Sequence, residues 1–479
     1  MKQLKLIGLF IILISLFYSG KEVKEAKKMN VLFIISDDLC TNSMKEAATP
    51  NIDKLAKMGM SFSSAYCQYP VCVPSRNSFL SGLRPDQIGS GWEPLRKLMP
   101  DVTTLPQLFR ENGFYTASIA KIFHVSQWDS RWPSENWKFD DPKAWDFRIN
   151  CPPANQGENQ IPPFPRKGLR FDFPGYGGPI DYGMMSFESD LAQEDGQATQ
   201  EAIRQLDLNL DKPFFMGVGY RRPHAPFIAP EKYFAPYPLN TIELPDPGDR
   251  SDVTDFAFSI HPPNYGDPAA IKPNKMCYLA SVSYLDAEVG RLLQSLEEHH
   301  MMENTIIIFI SDHGFQLGEH GEWHKNSLFE ESAQVPMIIR IPGVTQPGSS
   351  TNELVELIDL YPTLQDYFDL PDPPHQLPGR SLIPLLENPS TDFEKRPAIT
   401  RVRRKTDDNK RVMGYSIRWE KYRYNEWWML SEPQELLATE LYDLEKDPVS
   451  ENNLNNNDAY TRIVKSLSKK LEAYRLQSE

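Results

Sequence analysis

The chain has 479 residues, 40% of them apolar, with 51 Lys and Arg against 65 Asp and Glu and a formal net charge of −14. That length and apolar content suit one large or two smaller domains with a sizeable core, and the acidic balance argues against nucleic acid as a partner. The 41 prolines point to long, ordered connections rather than a helix bundle, and an anionic ligand would need a locally basic pocket.

Residues 1–20 read as an export signal. Met1 to Lys5 is a short basic start, Leu6 to Phe17 is almost wholly apolar, and Ser19-Gly20 offers small residues for cleavage. The apolar run is too short for a comfortable bilayer span, so no stable membrane insertion is expected and the mature chain is placed in the periplasm or outside the cell. Asn30 to Ser36 is a β-branched run that reads as a buried central strand, with Asp37-Asp38 at its C-terminal end. Pro50 to Met58 predicts a short helix. The run from Cys72 through Pro74 to Gly82 predicts another, since Pro suits a first turn and Gly a closing one. Cys72 then sits at a helix N-terminus, where unpaired N–H groups favour an anion. Taken alone, a buried cysteine before an ordinary helix fits as well.

Leu105 to Asn112 predicts a helix and Tyr115 to Ile119 a strand, followed by Lys121 and His124. Pro213 to Tyr220 is again a buried-strand pattern, followed by Arg221-Arg222-Pro223-His224. The clearest helix runs from Cys277 to His299, where Leu279, Val282, Leu285, Val289, Leu292, Leu293 and Leu296 keep a helical period. It leads into the strand Thr305 to Ile310, which ends at Asp312-His313-Gly314. Val335 to Ile341 reads as a strand and Val355 to Phe368 as a helix. Two segments rich in Pro, Gly and polar residues, 126–181 and 236–272, read as long loops at a functional rim. Composition changes between 389 and 396. Beyond it, Met413 to Tyr424 and Thr439 to Leu444 read as short antiparallel strands and Tyr460 to Leu476 as a closing helix.

The alternation of strands and helices predicts an α/β fold: a large, mostly parallel sheet covered by helices on both faces over 29–388, and a smaller C-terminal α+β subdomain with a short antiparallel sheet over 389–479. Ligands of such sheets bind beyond the carboxyl ends of the strands. Two of those ends carry Asp37, Asp38 and Asp312, a set that suits a hard cation. A lone Asp-Asp pair is more often a solvated turn, so it is the two ends together that matter. Five cysteines are too few for a disulfide scaffold. With Cys72 set aside, Cys40, Cys67, Cys151 and Cys277 allow zero, one or two bridges.

The run Cys72-Val73-Pro74-Ser75-Arg76 resembles the sulfatase signature in which a cysteine is converted to formylglycine. Thr49 to Ala56, Lys121-Ile122-Phe123-His124, Arg222-Pro223-His224-Ala225-Pro226-Phe227, Asp312-His313-Gly314, Leu317 to Lys325 and Leu441 to Pro448 resemble further landmarks of that family, across nearly the whole mature chain. The resemblance implies an alkaline phosphatase-like fold and a sulfuric ester hydrolase. It also implies one divalent cation, Ca2+ with Mg2+ as the alternative, held by Asp37, Asp38, Asp312, His313 and the modified Cys72. Many members have Asn where this chain has His313, which bears on which metal is held. By the same resemblance Cys72, as 3-oxoalanine, is the nucleophile's precursor and Arg76 supports it. Lys121 and Lys325 bind the sulfate, His124 lies beside the hydrated aldehyde, and His224 protonates the leaving alcohol. A free histidine titrates near ~6.5 and can donate a proton near neutrality. The implied partners are a sulfated saccharide and a formylglycine-generating maturation enzyme. Phe79 to Asp86, Ala280 to Asp286 and Gly414 to Arg418 are most similar to iduronate-2-sulfatases, which points to a 2-O-sulfated uronic acid. Arg221, Arg222 and the run Arg401 to Lys405 are expected as basic material at the rim, the run as a solvated loop that could contact a uronate carboxylate. The competing readings are a phosphate or phosphonate ester hydrolase of the same superfamily and a polysaccharide-binding protein with a dead site.

Overall fold

The computed structural model describes residues 29–478 apart from 90–91, 127–128, 135–136, 152–166, 173–181, 209–211, 259–267, 407 and 432. The export signal expected over 1–20 lies outside the described residues, as do parts of both long connections. The central element is a strand, β1 (Asn30–Asp37), with all eight residues buried. Its side chains alternate between two cores, Leu32 and Ile34 on one face, Val31, Phe33 and Ile35 on the other. A strand buried on both faces needs a continuous apolar run, and each such side chain contributes about 1.5–3 kcal/mol by leaving water.

Seven more strands complete the sheet: β2 (Met60–Phe62), β3 (Tyr115–Ala120), β4 (Phe147–Ile149), β5 (Phe214–Pro223), β6 (Thr305–Ser311), β7 (Met337–Arg340) and β8 (Ser349–Thr351). Their order is β8-β2-β7-β6-β1-β5-β3-β4. The pairs β6–β1, β1–β5, β5–β3, β3–β4 and β8–β2 are parallel, and β7 runs antiparallel to both its neighbours. The carboxyl ends of β1, β3, β5 and β6 therefore open on one edge.

Helices cover both faces. On one lie α1 (Pro50–Met58), α4 (Glu194–Leu208) and α5 (Pro268–Glu298), with Leu55, Ala202 and Val282 in the core. On the other lie α2 (Cys72–Ser81), α3 (Leu105–Glu111) and α6 (Leu360–Phe368), with Phe79, Leu108 and Leu364. A four-stranded antiparallel sheet follows, β9 (Ala398–Lys405), β10 (Arg411–Trp419), β11 (Tyr422–Met429) and β12 (Glu435–Asp443), in the order β9-β10-β11-β12. A final helix, α7 (Thr461–Ser478), packs Leu467 and Leu471 against it.

Several elements differ from expectation, each for a physical reason. Helix α5 begins at Pro268, inside the segment read as loop, and runs through Pro273. The run 335–341 is divided at Pro336: Val335 pairs with Ala65 in a small sheet, and Met337 begins β7. Val355 and Glu356 form a short strand beside Ala65 and Tyr66, and only Leu360–Phe368 is α-helix. Glu356 is tied there by bonds from Arg84 and from Ile399 N at 2.8 and 2.9 Å. The segment 413–424 holds the turn of a hairpin, at Glu420 and Lys421, with Glu420 at φ 52°. The run Arg401 to Lys405 is strand, not loop, and Arg401 and Arg404 are buried. All five cysteines are free and buried, so none of the contemplated bridges forms.

Candidate active site

Each site residue stands where a strand or helix ends on the shared edge. Strand β1 delivers Asp37 and Asp38, β6 delivers Asp312 and His313, β3 is followed by Lys121 and His124, and β5 by His224. Helix α2 starts at Cys72 and closes at Gly82, whose φ is 71°. A side chain at 82 would meet Tyr361 and Leu377 as well as the strained backbone, so glycine is required there. Gly219 in β5 is required for a different reason: a Cβ would collide with the Lys121 carbonyl, and that close approach brings Lys121 to the centre.

Cys72 is the hub. Its Sγ lies 3.4 Å from Asp37 Oδ1, 3.4 Å from His313 Nε2 and 3.3 Å from Lys325 Nζ. Lys325 Nζ also donates to Asp38 Oδ1 at 2.5 Å, and Lys121 Nζ to Asp37 Oδ2. Arg76 is fully buried; its Nε donates to Asp312 Oδ2 at 2.9 Å and its guanidinium to the carbonyls of Lys121 and Ile122. Ser75 Oγ donates to the Asp312 carbonyl at 2.5 Å. The helix bearing Cys72 is thus stitched to two strand ends by the residues three and four positions along. His224 donates from Nδ1 to the Ala225 carbonyl at 2.6 Å, which turns its Nε2 towards Asp38 Oδ2, 3.9 Å away. His124 Nδ1 is buried with no hydrogen-bond partner among the described residues, and its ring meets Trp92 edge-on at 5.1 Å.

Asp37, Asp38, Cys72 and His313 each turn one ligand atom inward, all within 4.8 Å of one another and all buried. His313 Nδ1 donates to the Gly314 carbonyl at 2.9 Å, which aims Nε2 at the cluster. Two carboxylates and an imidazole nitrogen form a donor set that fits a divalent cation. Asp312 flanks this group, its Oδ2 3.6 Å from His313 Nε2, while Oδ1 accepts from His313 N at 3.0 Å.

The local field is set by burial against dense opposite charge. Burial pushes the Cys72 thiol up, but Lys121, Lys325 and His313 bring it well below its ordinary value. Burial and Cys72 raise the Asp37 carboxyl, yet Lys121, His224 and Arg76 hold it below the usual carboxylate range. Burial, reinforced by Lys121, pushes His124 down to about 4. Position 72 is therefore a point where negative charge is strongly favoured.

The structure brings Asp37, Asp38, Cys72, Arg76, Lys121, His124, His224, Asp312, His313 and Lys325 to one edge. Arg221 and Arg222 are not at the rim. Both are buried against Glu194, at 3.2 and 3.9 Å, and Arg222 donates to the carbonyls of His224 and Pro226. Sequence reasoning missed Asp195, which accepts the backbone N–H groups of Arg221 and Arg222 at 2.9 Å each and so sets the path of the His224 loop. The acidic pair opening α4 was the available signal, and it reads as ordinary N-terminal helix charge. Trp92 was missed too, since a lone tryptophan in a loop carries no pattern.

A family profile described as Sulfatase matches residues 29–370, and one described as N-sulphoglucosamine sulphohydrolase, C-terminal, matches 318–477. The iduronate 2-sulfatase of Mus musculus is 32% identical, over 96% of this chain and 97% of the relative. Among solved structures, a protein in complex with its substrate D-glucosamine-2-N,6-O-disulfate aligns with a TM-score of 0.72 at 22% identity, over 94% of this chain and 98% of that one. The phosphonate monoester hydrolase of Agrobacterium radiobacter aligns with a TM-score of 0.74 at 21% identity, over 94% and 96%. At those identities the two structures speak to the fold alone.

Proposed function

The chain belongs to the sulfatase family and is a sulfuric ester hydrolase, and from that premise we propose that it removes sulfate from a sulfated saccharide, a 2-O-sulfated uronic acid of a glycosaminoglycan or related polysaccharide. The observation that carries the reading is the buried Cys72 ringed by Lys121, Lys325 and His313 at the edge of an acidic cluster. The uronate is supported by the kinship with an iduronate 2-sulfatase along nearly the whole chain.

In this reading a maturation enzyme oxidises Cys72 to 3-oxoalanine, whose hydrate supplies the attacking oxygen and, through its second hydroxyl, a way for sulfate to leave. Asp37, Asp38, Asp312, His313 and the modified Cys72 would hold a dication, Ca2+ with Mg2+ as the alternative, which would supply positive charge to the sulfate oxygens and acidity to the attacking hydroxyl. The protein's own residues do the rest. Lys121 and Lys325 bind the sulfate and offset the charge that spreads over it in the transition state. His224, with Nδ1 occupied by Ala225, offers Nε2 to the departing sugar oxygen and protonates it. His124, neutral at physiological pH, takes the proton that must leave position 72. Arg76 holds Asp312 in place and does not reach outward. The segment 1–20 supports export to the periplasm or beyond; among the described residues no helix is long and apolar enough to cross a membrane.

The test is a panel of sulfated disaccharides and polysaccharides with free sulfate as the readout. Release from 2-O-sulfated, uronate-ended substrates is the expected result. Release only from sulfates at other positions would remove the uronate assignment. A phosphate or phosphonate ester hydrolase is the competing reading, and relative rates on aryl sulfate and aryl phosphonate separate the two.

A further inference from the structure

The basic run on β9 divides into two kinds of residue. Arg401 is consumed by an ion pair with Asp86. Arg404 is consumed by backbone carbonyls, those of Phe256, Phe258 and Asn326 at 3.0, 2.9 and 2.5 Å, and the last of these anchors the loop that carries Lys325. The side chains of Arg403 and Lys405 have no acceptor and no ion pair among the described residues. Both line a cavity of about 290 Å³, with Arg404 beside them and Tyr69, Val71, Pro74, Trp92 and Asn326 as the other walls.

That cavity adjoins the candidate active site on three sides. Val71 and Pro74 flank Cys72, Asn326 follows Lys325, and Trp92 meets His124 at 5.1 Å. Trp92 is 55% exposed, a large apolar face left open beside a polar centre. Such a face binds the apolar side of a sugar ring well, and two unpaired cations opposite it bind an anion. The mouth is rigid because β9 is tied to the chain entering α2: Thr400 Oγ1 donates to the Cys67 carbonyl at 2.7 Å, Arg401 N to the Gln68 carbonyl at 3.1 Å, and Arg403 N to Tyr69 Oη at 3.1 Å.

We propose that the cavity between Trp92 and β9 is a second-anion subsite. A sugar ring of the substrate lies on Trp92, and Arg403 and Lys405 bind an anionic group other than the sulfate that is cleaved. The group is a carboxylate or a second sulfate. The proposal rests on the sulfatase reading, and its test is arranged to tell the two apart.

The variants are Arg403→Gln, Lys405→Ala and Trp92→Ala. Arg403 is half-buried and unpaired and Lys405 exposed, so both changes leave the fold intact, and a thermal melt checks this. Two quantities are measured. The first is the ratio of kcat/KM on a sulfated uronate disaccharide to that on a small aryl sulfate. The second is calorimetric binding of the desulfated uronate disaccharide, which needs no turnover. Arg403→Gln is expected to lower the ratio and weaken the binding by about tenfold or more, the loss of one charge-assisted hydrogen bond. If a carboxyl-reduced substrate shows the loss only when it carries a second sulfate, the anion is that sulfate; if the loss vanishes with the carboxyl, it is the carboxylate. An unchanged ratio together with unchanged binding in all three variants overturns the proposal. Wild-type protein that binds the disaccharide in an Arg403-dependent way but cleaves no sulfate overturns the underlying enzymatic reading instead.

Discussion

Among the described residues Lys325 makes polar contacts with Cys72 Sγ and Asp38 Oδ1, the atoms at which the proposed chemistry happens. If its charge is used mainly in the transition state, Lys325→Ala should lower kcat by about 10²–10³ and leave KM little altered. A rise in KM alone would make it a ground-state anchor. His320, in the same loop, has a structural task. It stacks on Phe329 at 3.7 Å and is 4% exposed. Burial, with Arg250 adding to it, pushes its imidazole down to about 4. A histidine whose folded pKa is depressed leaves the unfolded chain binding the extra proton between about pH 6.5 and 4. Stability from this group is therefore complete above 6.5 and lost as pH falls through that window. Between pH 7 and pH 5 it should amount to about 2 kcal/mol. Denaturant midpoints at the two pH values, compared between wild type and His320→Gln, should show the variant losing less; equal losses would put the acid sensitivity elsewhere.

Among elements, strands β1, β3, β5 and β6 and the long helix were legible because burial on two faces demands continuous apolar runs and a helical stripe demands its period, whereas the short strands β2, β4 and β8 carry no such run and β4 fell inside a segment read as loop. The strand ends Asp37-Asp38 and Asp312-His313 were legible for the same reason, since a strand end followed by charge marks the edge of a parallel sheet, whereas Lys121 stood out only through its likeness to a family motif. What escaped did so because tertiary contacts decided it. The turn at Glu420 and Lys421 has neither Gly nor Asn, and β9 hides under four basic residues that read as solvent-facing. Arg401 and Arg404 are buried in β9 because Asp86 and a set of carbonyls await them. Asp86 makes this the junction between the two sheets. It accepts from Arg401 and from the hydroxyls of Tyr415 and Tyr474, at 3.3 and 2.6 Å, so one carboxylate just past α2 holds strands β9 and β10 and helix α7. We expect the unit proposed over 389–479 to loosen when it is removed. Asp86→Ala leaves Arg401 buried without its counter-charge, at a cost of about 3–5 kcal/mol. A lowered denaturant midpoint and faster proteolysis in 390–397 would show it, and an unchanged midpoint would mean that the hydrophobic seam carries the junction.

At the scale of the whole molecule, a cluster of buried acids is a liability that a bound cation removes. Dialysis against a chelator should abolish sulfate release and lower the unfolding temperature, and added Ca2+ should restore both. A ligand held at a hundredfold over its Kd stabilises the fold by about 2.7 kcal/mol. Recovery with Mg2+ alone would reassign the metal. Activity and stability indifferent to chelation would mean that His313 and its neighbours hold no ion. The decisive measurement is multiple-turnover sulfate release by wild type and by Cys72→Ser, each preparation sorted by the intact mass of residue 72. Repeated turnover is expected only where the thiol has become the aldehyde, with at most a single event in the serine variant. Sustained turnover by Cys72→Ser, or by protein that still carries the thiol, would contradict it.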